Sequence, residues 1–198
     1  MTGLRQILTS LLFLPMVCMA EDDLLTRFLD NLEKHTLQSD FTVTITEKAT
    51  QPTTITGTIV MRGEQFKAQL MGMEIAYDGI TLYSYSEDND ELTLSSPTPD
   101  ELADVNPLLF TKALGESCQT ETKEQAGNYI VTLLPNQPGS GVRDFSLQIR
   151  KHDLMPLYAA MRETSMKTTT LLFRNPQFSD MNADFTISKP DAYINDLR

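Results

Sequence analysis

The sequence has few of the residues on which enzymatic chemistry and covalent cross-linking depend. Its 198 residues include two cysteines, two histidines and no tryptophan. Two cysteines do not provide a disulfide framework, and zinc sites need clustered cysteine and histidine ligands. A nucleophilic enzyme would need a base beside its nucleophile, and neither His35 nor His152 lies in a recognisable motif. We therefore expect no catalysis, no metal and no cofactor.

Basic residues are also scarce. The 16 lysines and arginines stand against 27 acidic residues, which gives a formal net charge of −11. Nucleic acids and anionic membrane surfaces both attract a basic protein surface, so this charge disfavours either as a partner. Asp78 or Asp88 with Glu91 could form a glycosidase-like acid pair, but both aspartates are predicted to lie in hairpin turns, where charged side chains are usually just solvated.

Long apolar runs and internal repeats are missing too. The longest apolar stretch near the N-terminus is 7–17, which follows Arg5 and precedes Cys18-Met19-Ala20. Because a membrane span needs about 20 apolar residues, the pattern is typical of a signal peptide over residues 1–20. A lipidated Cys18 is the alternative, although the preceding Val17 is larger than such signals prefer. The rest, residues 21–198, is predicted to form one domain.

Two kinds of periodicity are present in that domain. Apolar residues of 22–34 recur at helical spacing, whereas 40–48 alternates, with Phe41, Val43 and Ile45 on one face and threonines on the other. Residues 99–114, which contain prolines, are predicted to form one or two short inserted helices, with Asn106 as an N-cap. Residues 189–198 are predicted to form a tail. The remaining predicted strands are 53–61, 65–71, 74–77, 81–86, 91–95, 129–134, 144–151, 156–163, 167–173 and 183–188.

Short strands separated by glycine and aspartate turns predict an α+β fold built on a strongly curved antiparallel β-sheet. The 22–35 helix and the 99–114 insertion would form its lid. A curved sheet with so few helices can enclose a hydrophobic cavity, or its apolar residues can form an ordinary core, and spacing alone leaves both open. The candidate cavity residues are Phe66, Ala68, Leu70, Tyr77, Tyr83, Tyr85, Leu108, Leu109 and Phe110.

Three segments resemble a known family. They are 57–66 (GTIVMRGEQF), 77–85 (YDGITLYSY) and 106–109 (NPLL), and the resemblance extends over nearly all of residues 21–198. They are similar to the periplasmic outer-membrane lipoprotein carrier, or LolA-like, family. The resemblance implies an unclosed half-barrel with a helical lid over a hydrophobic cavity. It also implies a monomeric periplasmic carrier that takes acylated lipoproteins from an inner-membrane ABC transporter and passes them to an outer-membrane acceptor.

The resemblance also implies roles for single residues. Arg62 would lock the lid by hydrogen bonding to helix carbonyls, for which its five donors are well suited, and Phe66 would be an aromatic residue near the cavity. A surface ion pair is the alternative for Arg62. The sequence departs from better-known members at Gly63, which replaces a proline, and at Tyr83-Ser84, which replaces a tryptophan-containing pair. A periplasmic lipid or lipoprotein sensor of the same fold is the alternative function, because fold does not fix function.

Overall fold

The structure, a computed structural model, describes residues 22–48, 50–98, 101–102, 108, 118–136, 139 and 141–198. One helix and twelve strands are complete within these residues. Their order is α1 (Asp22–Lys34), β1 (Thr36–Thr46), β2 (Thr53–Arg62), β3 (Gln65–Leu70), β4 (Met73–Tyr77), β5 (Leu82–Ser86), β6 (Glu91–Ser95), β7 (Cys118–Gln125), β8 (Asn128–Pro135), β9 (Val142–Arg150), β10 (Pro156–Glu163), β11 (Thr168–Ser179) and β12 (Tyr193–Asp196).

All twelve strands belong to one sheet, in the order β12-β6-β5-β4-β3-β2-β1-β11-β10-β9-β8-β7. Neighbouring strands are antiparallel except for β12, which runs parallel to β6. The long first strand, β1, pairs with β2 on one side and with β11 on the other, and so joins the two runs of hairpins. The described strands β12 and β7 form the two edges and do not pair with each other. The predicted fold class, a curved and unclosed antiparallel sheet, is confirmed.

Helix α1 lies on the concave face of this sheet. Its apolar residues Leu24, Leu25, Phe28 and Leu32 are buried in the main hydrophobic cluster together with side chains of β1, β2, β3 and β9–β11. Lys34 lies in the last turn, where a cation interacts favourably with the helix dipole. The predicted helix over 22–34 is thus present, and its amphipathic pattern reflects burial of one face.

The close approach of β1, β2 and β3 depends on Gly57. This glycine pairs with Phe41 of β1 and with Leu70 of β3. A Cβ atom added at Gly57 would lie 2.8 Å from Cζ of Phe41 and would also clash with the backbone oxygen of Gln69. The Phe41 ring therefore covers the glycine, an arrangement that helps a sheet to curve while keeping its face packed.

The C-terminal segment differs from the prediction. Residues 183–188 form no strand; they cross the convex face, where Ile187 is buried in a second cluster with Ala76 and Leu92. The Nζ atom of Lys67 donates a hydrogen bond to the Thr186 carbonyl at 3.0 Å, which helps to hold the crossing in place. The predicted tail then forms β12 beside β6. Both predictions were wrong because the segment pairs with residues about 100 positions earlier, which local periodicity does not report.

Two other strands also differ from the prediction. Strand β7 was not predicted, and β11 continues to Ser179 rather than ending at Phe173. Most of the predicted insertion, including Asn106, lies outside the described residues. Its described beginning is a capping box: the Thr98 backbone N–H donates to Oε2 of Glu101 at 2.7 Å, and the Glu101 N–H donates to Oγ1 of Thr98 at 3.4 Å. A helical turn thus begins close to the predicted position.

Replacement of Gly57 with valine should destabilise the fold by about 2 kcal/mol or more, because the new side chain overpacks the contact between Phe41 and β3. Urea unfolding of the variant measures this change. Thr58→Val on the exposed side of the same strand is the matched control and should change the free energy of unfolding by less than about 0.5 kcal/mol. A Gly57→Val protein as stable as the control would contradict the proposed role of the glycine.

The turn after β4 gives a pH-dependent prediction. Burial raises the pKa of the Asp78 carboxyl, but hydrogen bonds from the backbone N–H groups of Thr81 and Ile80 and from the Tyr83 hydroxyl outweigh it, so the pKa is lowered. The three donors lie 2.8, 2.8 and 2.9 Å from the carboxylate oxygens. A group with a depressed pKa stabilises the fold above its unfolded value of about 3.9 and loses this effect as the pH falls through its folded pKa.

We therefore expect Asp78→Asn to unfold at a lower denaturant concentration than the wild type at pH 7, with the difference shrinking below about pH 4. Asp88→Asn, in the next turn of the same hairpin series, is the control for general effects of charge. A difference that stays constant between pH 7 and pH 3 would show that ionisation of Asp78 does not contribute.

Candidate functional site: an apolar groove on the concave face

An apolar groove of about 420 Å³ lies on the concave face. Strands β1, β2, β3, β4, β10 and β11 contribute its walls. Its size falls within the range of about 300–1,000 Å³ that is typical of ligand sites. The lining residues are Phe41, Val43, Ile45, Ile55, Ile59, Phe66, Ala68, Leu70, Ile75, Met161, Lys167, Thr169 and Leu171.

The alternation of β1 and its register with both neighbours place these side chains on one face. Val43 pairs with Ile55 of β2 on one side and with Leu171 of β11 on the other. Since directly paired residues project from the same face of a sheet, the three side chains form one apolar row. Thr42 and Thr44, between the lining positions, project from the opposite face. The groove is therefore a direct consequence of period-two patterning in three adjacent strands.

The C-terminal end of α1 is attached to the turn between β2 and β3. The Gly63 backbone N–H donates to the Leu32 carbonyl at 2.8 Å, and Nε of Arg62 donates to the Glu33 carbonyl at 3.3 Å. These carbonyls belong to the last turn of the helix, where no further helical N–H follows to bond them. Gly63 has φ of 57°, a conformation that a proline could not adopt. The departure from the family pattern at this position thus matches the local backbone.

Several predicted site residues lie in or beside the groove. Phe66, Ala68 and Leu70 line it. Tyr77 pairs with Phe66 across β3 and β4, with the ring centroids 6.4 Å apart, and is buried in the main cluster. Leu108 is also buried in that cluster, next to Leu29, Leu32 and Met61 beneath α1. Leu109 and Phe110 lie outside the described residues.

Tyr83 and Tyr85 lie on the opposite face of the sheet. They pair with Ala76 and Glu74 of β4, whose neighbours Ile75 and Tyr77 project into the concave side. Both tyrosines pack in the convex cluster, and Nζ of Lys189 lies 4.4 Å from the centroid of the Tyr85 ring. Burial and the hydrogen bond to Asp78 raise the pKa of Tyr83. These two residues therefore stabilise the crossing of the C-terminal segment and do not line the groove.

Sequence reasoning missed much of the groove wall. Val43 and Ile45 were placed on one strand face, but not in the cavity, and Ile55, Ile59 and Leu171 were not selected. The period-two alternation of these residues indicated that each strand has one apolar face. It did not indicate that β1 pairs with β11, which lies about 130 residues away in the chain.

The described residues offer little for covalent chemistry. No group of three or more histidine, cysteine or acidic side chains with metal-binding geometry is found among them. Nδ1 of His35 lies 2.8 Å from Oδ1 of Asp180, and Nε2 of His152 lies 3.3 Å from Oδ2 of Asp153, and none of these four residues lines the groove. Burial raises the pKa of the Cys118 thiol, which lowers its thiolate content. None of the described helical segments is long and apolar enough to cross a membrane.

No family model matches the sequence, and no curated protein matches it. Among solved structures, an uncharacterized conserved protein from Thermus thermophilus has a TM-score of 0.60 at 12% identity, over 88% of this chain and 97% of that chain. A LolA superfamily protein from Nitrosomonas europaea has a TM-score of 0.42 at 8% identity, over 79% and 94%. The Pseudomonas aeruginosa MucA/MucB complex has a TM-score of 0.46 at 13% identity, over 83% and 59%.

The similarity to the Thermus protein concerns the fold alone, and it extends over most of both chains. The sheet itself agrees with the architecture that the LolA-like resemblance predicted. In the described residues, helix α1 lies on the concave face of a curved, unclosed sheet of twelve strands. The described residues thus form the unclosed half-barrel that the sequence resemblance implied, with a helix on its concave face.

Proposed function

We propose that the protein is a periplasmic carrier that binds the acyl chains of lipoproteins in the concave groove and moves them from the inner to the outer membrane. The observation that supports this function is the apolar groove beside a helix that is tied down at its C-terminal end. Each CH₂ group removed from water contributes about 0.8 kcal/mol, so an acyl chain needs such a shelter to cross an aqueous space.

The donor would be an inner-membrane ABC transporter and the acceptor an outer-membrane receptor, with the carrier acting as a monomer after removal of residues 1–20. These partners follow from the sequence resemblance, and the groove is compatible with them. The strongly acidic composition would steer the carrier towards basic patches on either partner. A periplasmic sensor that binds lipid in the same groove is the alternative function. A carrier would transfer its cargo between membranes and a sensor would not, so a transfer assay distinguishes them.

Opening of α1 is the proposed gate. In the closed state Arg62 and Gly63 bind the last carbonyls of α1, and its apolar face is buried. A ligand that fills the groove would replace part of that burial with acyl-chain contacts. For a carrier to load and to release, the closed and open states must differ by only a few kcal/mol.

Ile55→Glu should abolish binding of acylated cargo, because the side chain lines the groove and a carboxylate there would be desolvated by an acyl chain. Ile55 is only partly buried, so the substitution is less disruptive to folding than one at Phe66. The measurement is native mass spectrometry of the 21–198 protein isolated from a periplasm, with lipoprotein or lipid counted per protein.

Leu172→Glu is the matched control, since Leu172 follows the lining residue Leu171 but is 41% exposed on the other face. Wild type and Leu172→Glu should carry cargo and Ile55→Glu should not. Cargo retained by Ile55→Glu would contradict the groove as binding site. Binding without delivery from donor to acceptor membranes would favour the sensor.

Arg62→Ala should make α1 open more often, because the Glu33 carbonyl loses a donor. A hydrogen bond of this kind contributes about 0.5–1.5 kcal/mol, which corresponds to roughly 2- to 10-fold faster exchange of α1 amide hydrogens. Hydrogen exchange with mass spectrometry measures this rate, and cargo uptake and release should change with it. Arg143→Ala, which removes only a surface pair with Asp144, should leave α1 unchanged. Identical α1 exchange in Arg62→Ala and wild type would rule out Arg62 as the lock.

A further inference from the structure

An ion pair lies at one end of the apolar groove. Met161 of β10 pairs with Thr169 of β11, and both line the groove. Glu163 is the last residue of β10, and Lys167 immediately precedes β11. Each lies two positions nearer the connecting turn than its groove-lining neighbour, and Nζ of Lys167 lies 3.3 Å from Oε1 of Glu163. The hairpin is closed there by a hydrogen bond from the Glu163 N–H to the Lys167 carbonyl at 2.9 Å. The pair therefore marks the mouth of the groove.

Lys167 is the charged member of the groove lining; the twelve other lining residues are apolar except for Thr169. The Lys167 and Glu163 side chains are 34% and 24% exposed, so water still reaches both ions. An ion pair of this exposure contributes little to folding stability. A lysine has three N–H donors, and a carboxylate has four lone-pair positions, so each ion keeps capacity for another partner.

The space behind this pair is apolar. The groove has a volume of about 420 Å³, within the range of small-molecule sites, and its lining offers apolar contacts to an aliphatic chain.

We propose that the groove binds an acyl chain of a zwitterionic amphiphile, whose phosphate pairs with Lys167 and whose ammonium pairs with Glu163. This inference rests on the proposed function only in that the groove accepts acyl chains. An anionic head alone would approach Lys167 but would also face the Glu163 carboxylate, and it would leave that carboxylate without its partner. A head that carries both charges satisfies both side chains, which is why a phosphoethanolamine group fits best.

The test uses delipidated 21–198 protein and three ligands with the same palmitoyl chain, each below its critical micelle concentration. They are 1-palmitoyl-lysophosphatidylethanolamine, with a zwitterionic head, palmitate, with an anionic head, and monopalmitoylglycerol, with a neutral head. Calorimetry and native mass spectrometry give affinity and stoichiometry. The zwitterionic lipid should bind as one molecule per protein and at least tenfold tighter than the other two.

The variants test the two ions separately. Lys167→Gln and Glu163→Gln should each reduce the ratio of the affinity for the zwitterionic lipid to that for the neutral ligand from at least tenfold to about one. The double reversal Glu163→Lys with Lys167→Glu should restore the preference, since both charges are again present. Lys123→Gln removes a lysine that pairs with Glu121 at 3.9 Å on the edge strand β7 and should change nothing.

The outcomes distinguish this inference from the function on which it rests. Equal affinities for the three ligands, or the highest affinity for palmitate, would refute recognition of a zwitterionic head while leaving the apolar groove as a lipid site. More than one tightly bound lysolipid per protein would refute a single head-binding site at the ion pair. Failure of all three ligands to bind would overturn the inference together with the proposed lipid-binding function.

Discussion

Within the described residues, the structure depends on a mismatch between the length of helix α1 and the width of the sheet. Helix α1 has 13 residues and is therefore about 20 Å long, whereas twelve strands spaced by about 4.8 Å make a sheet roughly 50 Å wide. One such helix covers only part of the concave face. The part beside it keeps the same period-two apolar pattern, so curvature turns it into a groove rather than a filled core.

The hairpin of β2 and β3 connects this groove to the helix. Arg62 and Gly63, in its turn, hold the last carbonyls of α1, and Phe66, three residues after Gly63, lines the groove. Under the proposed mechanism, a ligand that displaces Phe66 acts on the same hairpin that holds the helix. Ligand loading and opening of α1 would then be coupled through the β2–β3 hairpin alone, provided that this hairpin has one arrangement with α1 bound and another with α1 released.

The sequence predicted the parts of this arrangement that are local. Helix α1, most strands and the groove residues Phe66, Ala68 and Leu70 follow from periodicity, because each is set by neighbours in the chain. Tyr83 and Tyr85 were assigned to the cavity because alternation identifies two faces but not which one is concave. Strand β7 was missed since its sequence, CQTETKEQ, is polar, as an edge strand can be. Strand β12 depends on a parallel pairing with β6 that no local pattern encodes.

If the protein takes lipid from a membrane, as proposed, competition with the bilayer makes the groove mouth more important for selectivity than the apolar wall. Burial of an acyl chain contributes about 0.8 kcal/mol per CH₂ group relative to water. A chain taken from a bilayer is already out of water, so this gain nearly cancels in the exchange. The free energy that remains comes from the cost of moving α1 and from contacts with the head. Under the proposed mechanism, the contact of Arg62 with α1 and the ion pair of Lys167 and Glu163 are therefore the places where affinity for a lipid extracted from a membrane would be set.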